Sequence, residues 1–453
     1  MNTERNYVKW KVKVIKKMSL NLFKNFSKEL KNKMFITFII LFFIQFLSNI
    51  PTFGINRDVL GTFLKSDTGS AFELFTLFSG NAFSQMSIFV LGVAPYISAS
   101  IIMQLLRVII PPLEEMSKDG KTGQDKYKKI TYIVAGILAI VQAIPITLGF
   151  ASYGLLVENN SFYIAIVSIT LIIGSILEIY LGNIIDKKGI GNGISLILLI
   201  NILSRIPSDI MIIYETFLKD KEVVNWILTI IISILTLIIT FIGIIYLQDG
   251  EKRIKTQYAS QVKGIQGLKS KAANYIPLKI NLAGVMPIIF TSSLFQMYTL
   301  IVTLLKVETN SIWYHISMTL SSSNLFQLDN PLYNIGFIIH CILIFMFASF
   351  YSSLIFNPTE VADNLKKSGG VIVGIRPGKP TEEYLDKKLK TLRNVGSICL
   401  ILVTSFPMII SNIFNVTLSF AGTSVIIIVG VILETYKVIE SEKLESMSSS
   451  FLF

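Results

Sequence analysis

Long apolar runs separated by short polar segments dominate this chain. Ten of these runs, most of them about 20 residues long, can cross the hydrocarbon core of a membrane as helices. They fall at about 34–50, 86–106, 130–150, 162–181, 192–206, 224–247, 281–304, 332–356, 394–411 and 419–439. The pattern predicts an all-α polytopic membrane protein with ten transmembrane helices.

One further apolar stretch, residues 71–84, is too short to span a membrane as a helix. Such a segment at membrane depth must be screened from lipid by protein or must line a cavity. Two interpretations are open, namely an interfacial helix and a re-entrant plug that fills a pore from outside.

The first 33 residues are basic and amphipathic. Lysines alternate with apolar residues that recur at helical spacing, among them Val8, Val12 and Ile15. This pattern favours a helix lying on the inner membrane surface, attracted by anionic lipids. We expect no signal peptide, because the apolar run that follows is too long.

Charge predicts the orientation. Of 453 residues, 52% are hydrophobic, and 41 basic against 29 acidic residues give a net charge of +12. Most basic residues fall in alternate polar segments, beginning with the N-terminal one, so both termini are expected in the cytoplasm. This one-sided charge is explained by topology and lipid attraction, or by a docking surface for RNA or an acidic protein.

The most distinctive polar segment is residues 357–380, between the eighth and ninth runs. It opens with Asn-Pro, which ends a helix because proline disfavours helical geometry in the residue before it. Gly374 and Gly378 then bend the chain around Arg376, which leaves the guanidinium at or near a loop tip. We expect a structured basic arm that is offered to a large partner.

Ionisable residues are scarce inside the runs, which argues against an ion-coupled transporter. Glu178 and Glu434 are expected near the cytoplasmic ends of their helices. The sequence Gly189-Ile-Gly-Asn-Gly193 follows no strand, so flexible entry into a helix is a better interpretation than a dinucleotide loop. We therefore expect no enzymatic activity, cofactor or metal, and energy has to come from a partner.

Several motifs occur together in one order. They are Phe78-Ser-Gly80, Pro95-Tyr-Ile-Ser-Ala-Ser100, Gly189-Ile-Gly-Asn-Gly-Ile-Ser195, Pro277-Leu-Lys-Ile-Asn-Leu-Ala-Gly284, Phe356-Asn-Pro-Thr-Glu-Val-Ala-Asp-Asn-Leu-Lys-Lys-Ser-Gly369 and Gly374-Ile-Arg-Pro-Gly378. In this order and spacing, from about residue 34 to residue 440, the chain resembles the SecY family of protein-conducting channel subunits. The alternative, a ten-helix solute carrier, explains none of these motifs.

The resemblance implies a fold of two pseudo-symmetric halves, each with five helices, around a central pore. The halves would be residues 34–206 and 207–440, between an N-terminal helix at 1–33 and a tail at 441–453. The implied function is passage of unfolded secretory polypeptides across the plasma membrane. Apolar segments would leave laterally into lipid between the second and seventh helices.

The resemblance also implies roles for particular residues. A pore ring of aliphatic side chains would consist of Val93, Ile97, Leu198, Ile202, Ile289 and Ile427. The plug, about residues 71–84, would include Phe75, Phe78, Ser79 and Gly80. Two cytoplasmic loops, 248–279 and 357–393, would dock partners through Lys252, Arg253, Lys255 and Arg376. Gln85 stands where some members carry Arg, which puts a charge-based role there in doubt.

The implied partners are SecE-like and SecG-like small membrane subunits, the SecA motor ATPase, the ribosome and polypeptides that carry signal sequences. Anionic lipids complete this set. The sequence leaves open whether the motor or the ribosome is the main driving partner. It equally leaves open the oligomeric state and whether this is a housekeeping channel or a second copy.

Overall fold

The computed structural model describes residues 27–56, 79–213, 223–258, 275–304, 311–320, 334–413 and 423–450. The helices are α1 Lys28–Leu47, α2 Asn81–Ser84, α3 Ala94–Ile109, α4 Pro111–Lys118, α5 Gly120–Ser152, α6 Ser161–Lys188, α7 Gly193–Ile213, α8 Val223–Asp249, α9 Met286–Leu304, α10 Ile312–Thr319, α11 Asn334–Ile355, α12 Pro358–Lys367, α13 Lys379–Ile413 and α14 Thr423–Ser450. The strands are β1 Glu251–Tyr258, β2 Tyr275–Lys279 and β3 Gly370–Ile372.

Each of the ten predicted runs coincides with a helix, in the order α1, α3, α5, α6, α7, α8, α9, α11, α13 and α14. By length and composition, six described helices can cross a membrane, and the bent pair of α3 and α4 can form a seventh span. Large apolar side chains remain exposed on their outer faces, for example Phe35, Phe38 and Phe42 of α1. Contiguous exposed apolar surface of this kind suits contact with lipid.

Proline and glycine explain where the second helix departs from its predicted run. Helix α3 begins at Ala94 rather than near residue 86, because a series of turns precedes it in which Met86 and Gly92 have positive φ angles. It ends where Ile110, just before two prolines, adopts an extended conformation. Helix α4 consequently leaves α3 at an angle of 107°.

Some predicted segment boundaries fall inside helices. Helix α7 continues through Pro207 to Ile213, past the predicted boundary between the halves at 206 and 207. A proline removes one helical hydrogen bond, and here the helix tolerates that loss. Helix α14 likewise runs to Ser450, so most of the predicted tail at 441–453 extends the tenth helix. The predicted N-terminal surface helix falls mainly on residues 1–26, outside the described residues.

The described helices pack in two groups, which we call the first helix group (α1 to α7) and the second helix group (α8 to α14). In the first, α5 packs between α3 and α6, and α1 contacts α6 and α7. In the second, α11 packs between α9 and α13, and α8 contacts α13 and α14. The groups meet where α9 contacts α3 and α5 and where α7 contacts α14. A large apolar cluster extends across both groups.

A three-stranded antiparallel sheet joins the two loops that the sequence treats as separate. Its strand order is β2-β1-β3, with Ile254 opposite Ile276 and Thr256 opposite Ile372. We call β1, β2, α12, β3 and the first turns of α13 the loop unit. Its own small core consists of Ile254, Leu278, Leu365, Ile372 and Leu385. The described parts of both predicted docking loops therefore belong to one folded body.

Most of the predicted loop at 357–393 is regular structure. Helix α11 ends at Ile355, and the Asn357 side chain accepts a hydrogen bond from the Thr359 N–H at 3.1 Å, which caps α12. Pro358 is the first residue of α12, where its missing N–H costs nothing. The amphipathic start of α13 covers the sheet and continues without a break into the ninth apolar run.

Replacing Ile254 by Ala tests the core of the loop unit. Because Ile254 is buried in that core, its loss should lower the local free energy of unfolding by about 3 kcal/mol. Hydrogen exchange of the β1 and β3 amides measures the effect. Gln257→Ala, exposed on the same strand, is the control and should leave exchange unchanged. Unchanged protection in Ile254→Ala would show that this core does not hold the two loops together.

Candidate pore and gate

The six predicted pore-ring residues come from four helices or their first turns. Val93 and Ile97 lie at the start of α3, and Leu198 and Ile202 lie on α7. Ile289 lies near the start of α9, and Ile427 lies near the start of α14. All six are buried and belong to the apolar cluster shared by both helix groups. The structure thus brings together residues that are more than 300 positions apart in sequence. An aliphatic contact of this kind excludes water and offers ions no ligand.

Close backbone packing positions the start of α7. A Cβ atom at Gly193 would overlap the carbonyl oxygen of Gly182 on α6, so only glycine permits this approach. The Gly193 N–H also donates to Asp186 Oδ1 at 2.7 Å. The glycines interpreted from sequence as a flexible helix entry therefore include one that forms a fixed contact between α6 and α7.

The described end of the predicted plug packs against α7. Phe75 and Phe78 lie outside the described residues, whereas Ser79 and Gly80 are described and buried. Gly80 has a φ of 61°, and a Cβ atom there would overlap the backbone of Asn201. The next residue, Asn81, donates its N–H to Ser204 Oγ at 3.1 Å. We call residues 79–84 the anchor turn.

Gln85 follows the anchor turn directly. Its backbone N–H donates to Asn81 O at 3.0 Å and caps helix α2, while the residue itself is exposed. The structure therefore gives Gln85 a backbone role at the end of this turn.

A polar seam crosses the contact between the two helix groups. Ser98 Oγ on α3 lies 3.2 Å from Ser293 Oγ on α9, and Gln142 on α5 donates to Ser98 Oγ at 3.5 Å. All three side chains are buried. Sequence reasoning did not select them, because single serines in apolar runs are common packing residues. Their only sequence signal is a hydroxyl or amide on an otherwise aliphatic helix.

Glu178 does not lie where the sequence analysis placed it. Helix α6 continues to Lys188, beyond the predicted end at 181, so Glu178 is further from the helix end than expected. Its side chain is fully buried and accepts a hydrogen bond from Asn201 Nδ2 at 3.2 Å. Since Asn201 lies between Leu198 and Ile202 on α7, the carboxyl group is level with these two predicted ring residues.

The predicted docking residues project from the loop unit in different ways. Lys252, Arg253 and Lys255 are exposed on β1. Arg253 is held against β1 and β2. Its Nε donates to Glu251 Oε1 at 2.7 Å, and its guanidinium carbon lies 4.7 Å from the centre of the Tyr275 ring. Arg376 is exposed in the turn after β3, where Thr381 Oγ1 donates to its carbonyl oxygen at 2.8 Å. The turn, rather than an ion pair among the described residues, therefore orients Arg376.

Two ion pairs locate the start of α1 and the end of α14 relative to the loop unit. Lys33 near the start of α1 lies 3.2 Å from Glu442 near the end of α14. Lys437 of α14 lies 3.4 Å from Asp249, the residue that ends α8 just before β1. The start of α1, the end of α14 and the loop unit are consequently on one side of the molecule.

Replacing Ile97 and Ile289 together by Asn tests the ring. Buried amides in place of these aliphatic side chains should admit water to the constriction and raise resting ion conductance on the order of tenfold or more. Planar bilayers that contain the channel with its partner subunits provide the measurement. Ile97→Val with Ile289→Val keeps the ring aliphatic and should stay closed. Unchanged conductance of the Asn variant would show that these residues serve packing alone.

Comparison with known proteins identifies the family of this chain. The sequence model of the SecY family matches residues 87–436. The chain is 35% identical over 452 residues to the protein translocase subunit SecY of Buchnera aphidicola, covering 97% of this chain and 99% of that protein. It is 36% identical to the subunit of the same name from Staphylococcus epidermidis, covering 92% of this chain and 95% of that protein.

Solved structures share the fold at lower sequence identity. A protein-conducting channel superposes with a TM-score of 0.66 at 20% identity, covering 92% of this chain and 94% of that chain. Sec61 in the canine ribosome-channel complex from the endoplasmic reticulum superposes with a TM-score of 0.63 at 20% identity, covering 92% and 94%. With a family model that spans most of the sequence and relatives of about 35% identity over nearly its full length, this chain belongs to the SecY family.

Proposed function

We propose that this chain is the central subunit of a protein-conducting channel that passes unfolded polypeptides across a membrane. The observation that carries the proposal is that the six predicted ring residues are buried in one apolar cluster shared by the two helix groups, in a chain of the SecY family. An aliphatic constriction can close around an extended polypeptide of any sequence, because it makes no specific hydrogen bonds. The same lack of polar ligands keeps ion passage low.

The contact between α3 and α9 is the proposed lateral gate. Most of it is apolar, and the Ser98–Ser293 contact with Gln142 is the polar exception. Hydroxyl hydrogen bonds between membrane helices are individually weak, about 1 kcal/mol, so they can hold a gate closed and still yield to an entering segment. Leu, Ile, Phe and Val side chains gain free energy on reaching lipid, so lateral release sorts segments by hydrophobicity.

Cross-linking the polar seam tests the gate. Ser98→Cys with Ser293→Cys, in a chain whose Cys341 and Cys399 are replaced by Ala, places two thiols where the hydroxyl oxygens are 3.2 Å apart. Oxidation should reduce transport of a signal-bearing precursor into vesicles at least about tenfold, because the gate helices can no longer separate. Reduction with dithiothreitol should restore transport.

The matched control is Ser98→Cys with Ser292→Cys, since Ser292 points about 100° away around α9. Oxidation should leave transport through this variant unaffected. If the Ser98–Ser293 disulfide formed and transport continued, α3 and α9 would not be the gate.

The loop unit is the proposed docking surface for the driving partner, through Lys252, Arg253, Lys255 and Arg376. Its place on the same side as the start of α1 and the end of α14, together with the positive-inside distribution of charge, supports a cytoplasmic orientation of this side in the plasma membrane. A solved relative is Sec61 in a ribosome-channel complex. For this chain we propose that the ribosome and a SecA-type motor dock on the loop unit. SecE-like and SecG-like subunits would lie beside the helices, and anionic lipids would surround the basic N-terminal segment.

Reversing the charge of Arg376 tests docking. Arg376→Glu should lower motor-driven transport on the order of tenfold, because a single exposed guanidinium in a defined turn acts as an interface anchor. Membrane insertion and folding should be unchanged, as measured by the pattern of trypsin cleavage. Lys379→Glu makes the same charge change three residues further on, at the start of α13, and should have a much smaller effect. Equal loss in both variants would indicate a general electrostatic effect instead of a specific anchor.

A further inference from the structure

A buried carboxyl group lies beside the pore ring without a counter-ion. Glu178 is fully buried on α6, and no ion pair to it is found among the described residues. One oxygen accepts the hydrogen bond from Asn201, and Oε2 has no hydrogen-bond partner in the described part of the chain. An apolar side chain at this position would avoid the cost of desolvating a carboxyl group. An ionisable residue at this depth therefore points to a role beyond packing.

Asn201 connects this carboxyl group to both the pore ring and the anchor turn. Its side chain binds Glu178, while its backbone lies directly against Gly80. Its carbonyl oxygen accepts a hydrogen bond from Ser204 Oγ at 2.7 Å. Because Leu198 and Ile202 flank Asn201 on α7, a shift of this part of the helix would move two ring residues together.

Ser204 continues the connection into the anchor turn. Its Oγ donates to Asn201 O and accepts from the Asn81 N–H at 3.1 Å. An unbroken series of contacts thus runs from Glu178 through Asn201 and Ser204 to Asn81. The anchor turn is the described end of the predicted plug, residues 71–84, and these contacts join that end to α7.

We propose that Glu178 is a positioning residue of the closed channel. Through Asn201 it holds α7 against the anchor turn, and this arrangement keeps the ring closed. The inference rests on the proposed channel function. When a polypeptide enters, α7 has to separate from the anchor turn, so the Glu178–Asn201 bond contributes to the threshold that a signal sequence must overcome.

Three single variants and one double variant test this role in the full chain with its partner subunits. Glu178→Leu should raise resting ion conductance about tenfold in planar bilayers, because it leaves the buried Asn201 amide without this acceptor. It should also permit transport of a precursor with a weakened signal sequence. Glu178→Gln retains an acceptor oxygen, so this channel should stay closed at rest as the wild type does. Asn201→Ala should reproduce the effect of Glu178→Leu.

The double variant, Glu178→Leu with Asn201→Ala, separates positioning from general destabilisation. If the two residues act as a unit, the conductance of the double variant should not exceed that of the more affected single variant. Ser168→Ala removes another buried polar group from α6, away from Asn201, and should leave conductance unchanged. Thermal unfolding of each purified complex shows whether a variant is folded, and Asn201→Ala and Glu178→Gln carry the test if Glu178→Leu is not.

Two results would overturn the proposal. If the conductance increases of Glu178→Leu and Asn201→Ala multiplied in the double variant, the two residues would act independently. Wild-type closure of a folded Asn201→Ala channel would mean that the bond holds nothing in place. The ring variant with Asn at positions 97 and 289 distinguishes these results from failure of the proposed function, because it should conduct in any channel sealed by that ring.

Discussion

The contact between the two helix groups is made mainly by aliphatic side chains, and the rest of the architecture depends on it. Membrane helices gain little from burying apolar surface against each other, because lipid is equally apolar. Such a contact is therefore held by close packing and can separate at low cost. A proposed channel needs this property, since the same surfaces must seal at rest and part for a polypeptide. The predicted ring residues Ile97 and Ile289 belong to this contact.

Polar groups at the junction supply what aliphatic packing lacks, namely a defined resting position. The Ser98–Ser293 contact crosses between the helix groups, whereas the Glu178–Asn201 bond lies within the first group behind the ring. Both involve side chains in otherwise apolar helices, where an unpaired polar atom is costly. Such bonds favour the resting arrangement, because helix separation would leave each polar atom without this partner.

The loop unit addresses a different constraint. Partner docking requires side chains at fixed positions in water, and a loop alone would lose conformational entropy on binding. The sheet that joins β1 to β3, with Ile254 in its core, brings the described parts of two distant loops into one folded unit. Arg253 is engaged within that surface, while Arg376 stands out from it. The loop unit is also continuous with the second helix group, because helix α13 runs without a break from the sheet to its contacts with α8 and α11.

The sequence by itself determined the helices, because hydrophobic runs of membrane-spanning length and their polar boundaries are local properties. Its motifs, through their order, also determined the family and the ring residues to look for. Contacts between distant residues were decided only by the tertiary structure. Glu178 was misplaced because the end of α6 depends on packing beyond the apolar run, and its bond to Asn201 has no local signal. The pairing of β1 with β3 was missed for the same physical reason, since strand partners separated by about a hundred residues are selected by the packed core between them.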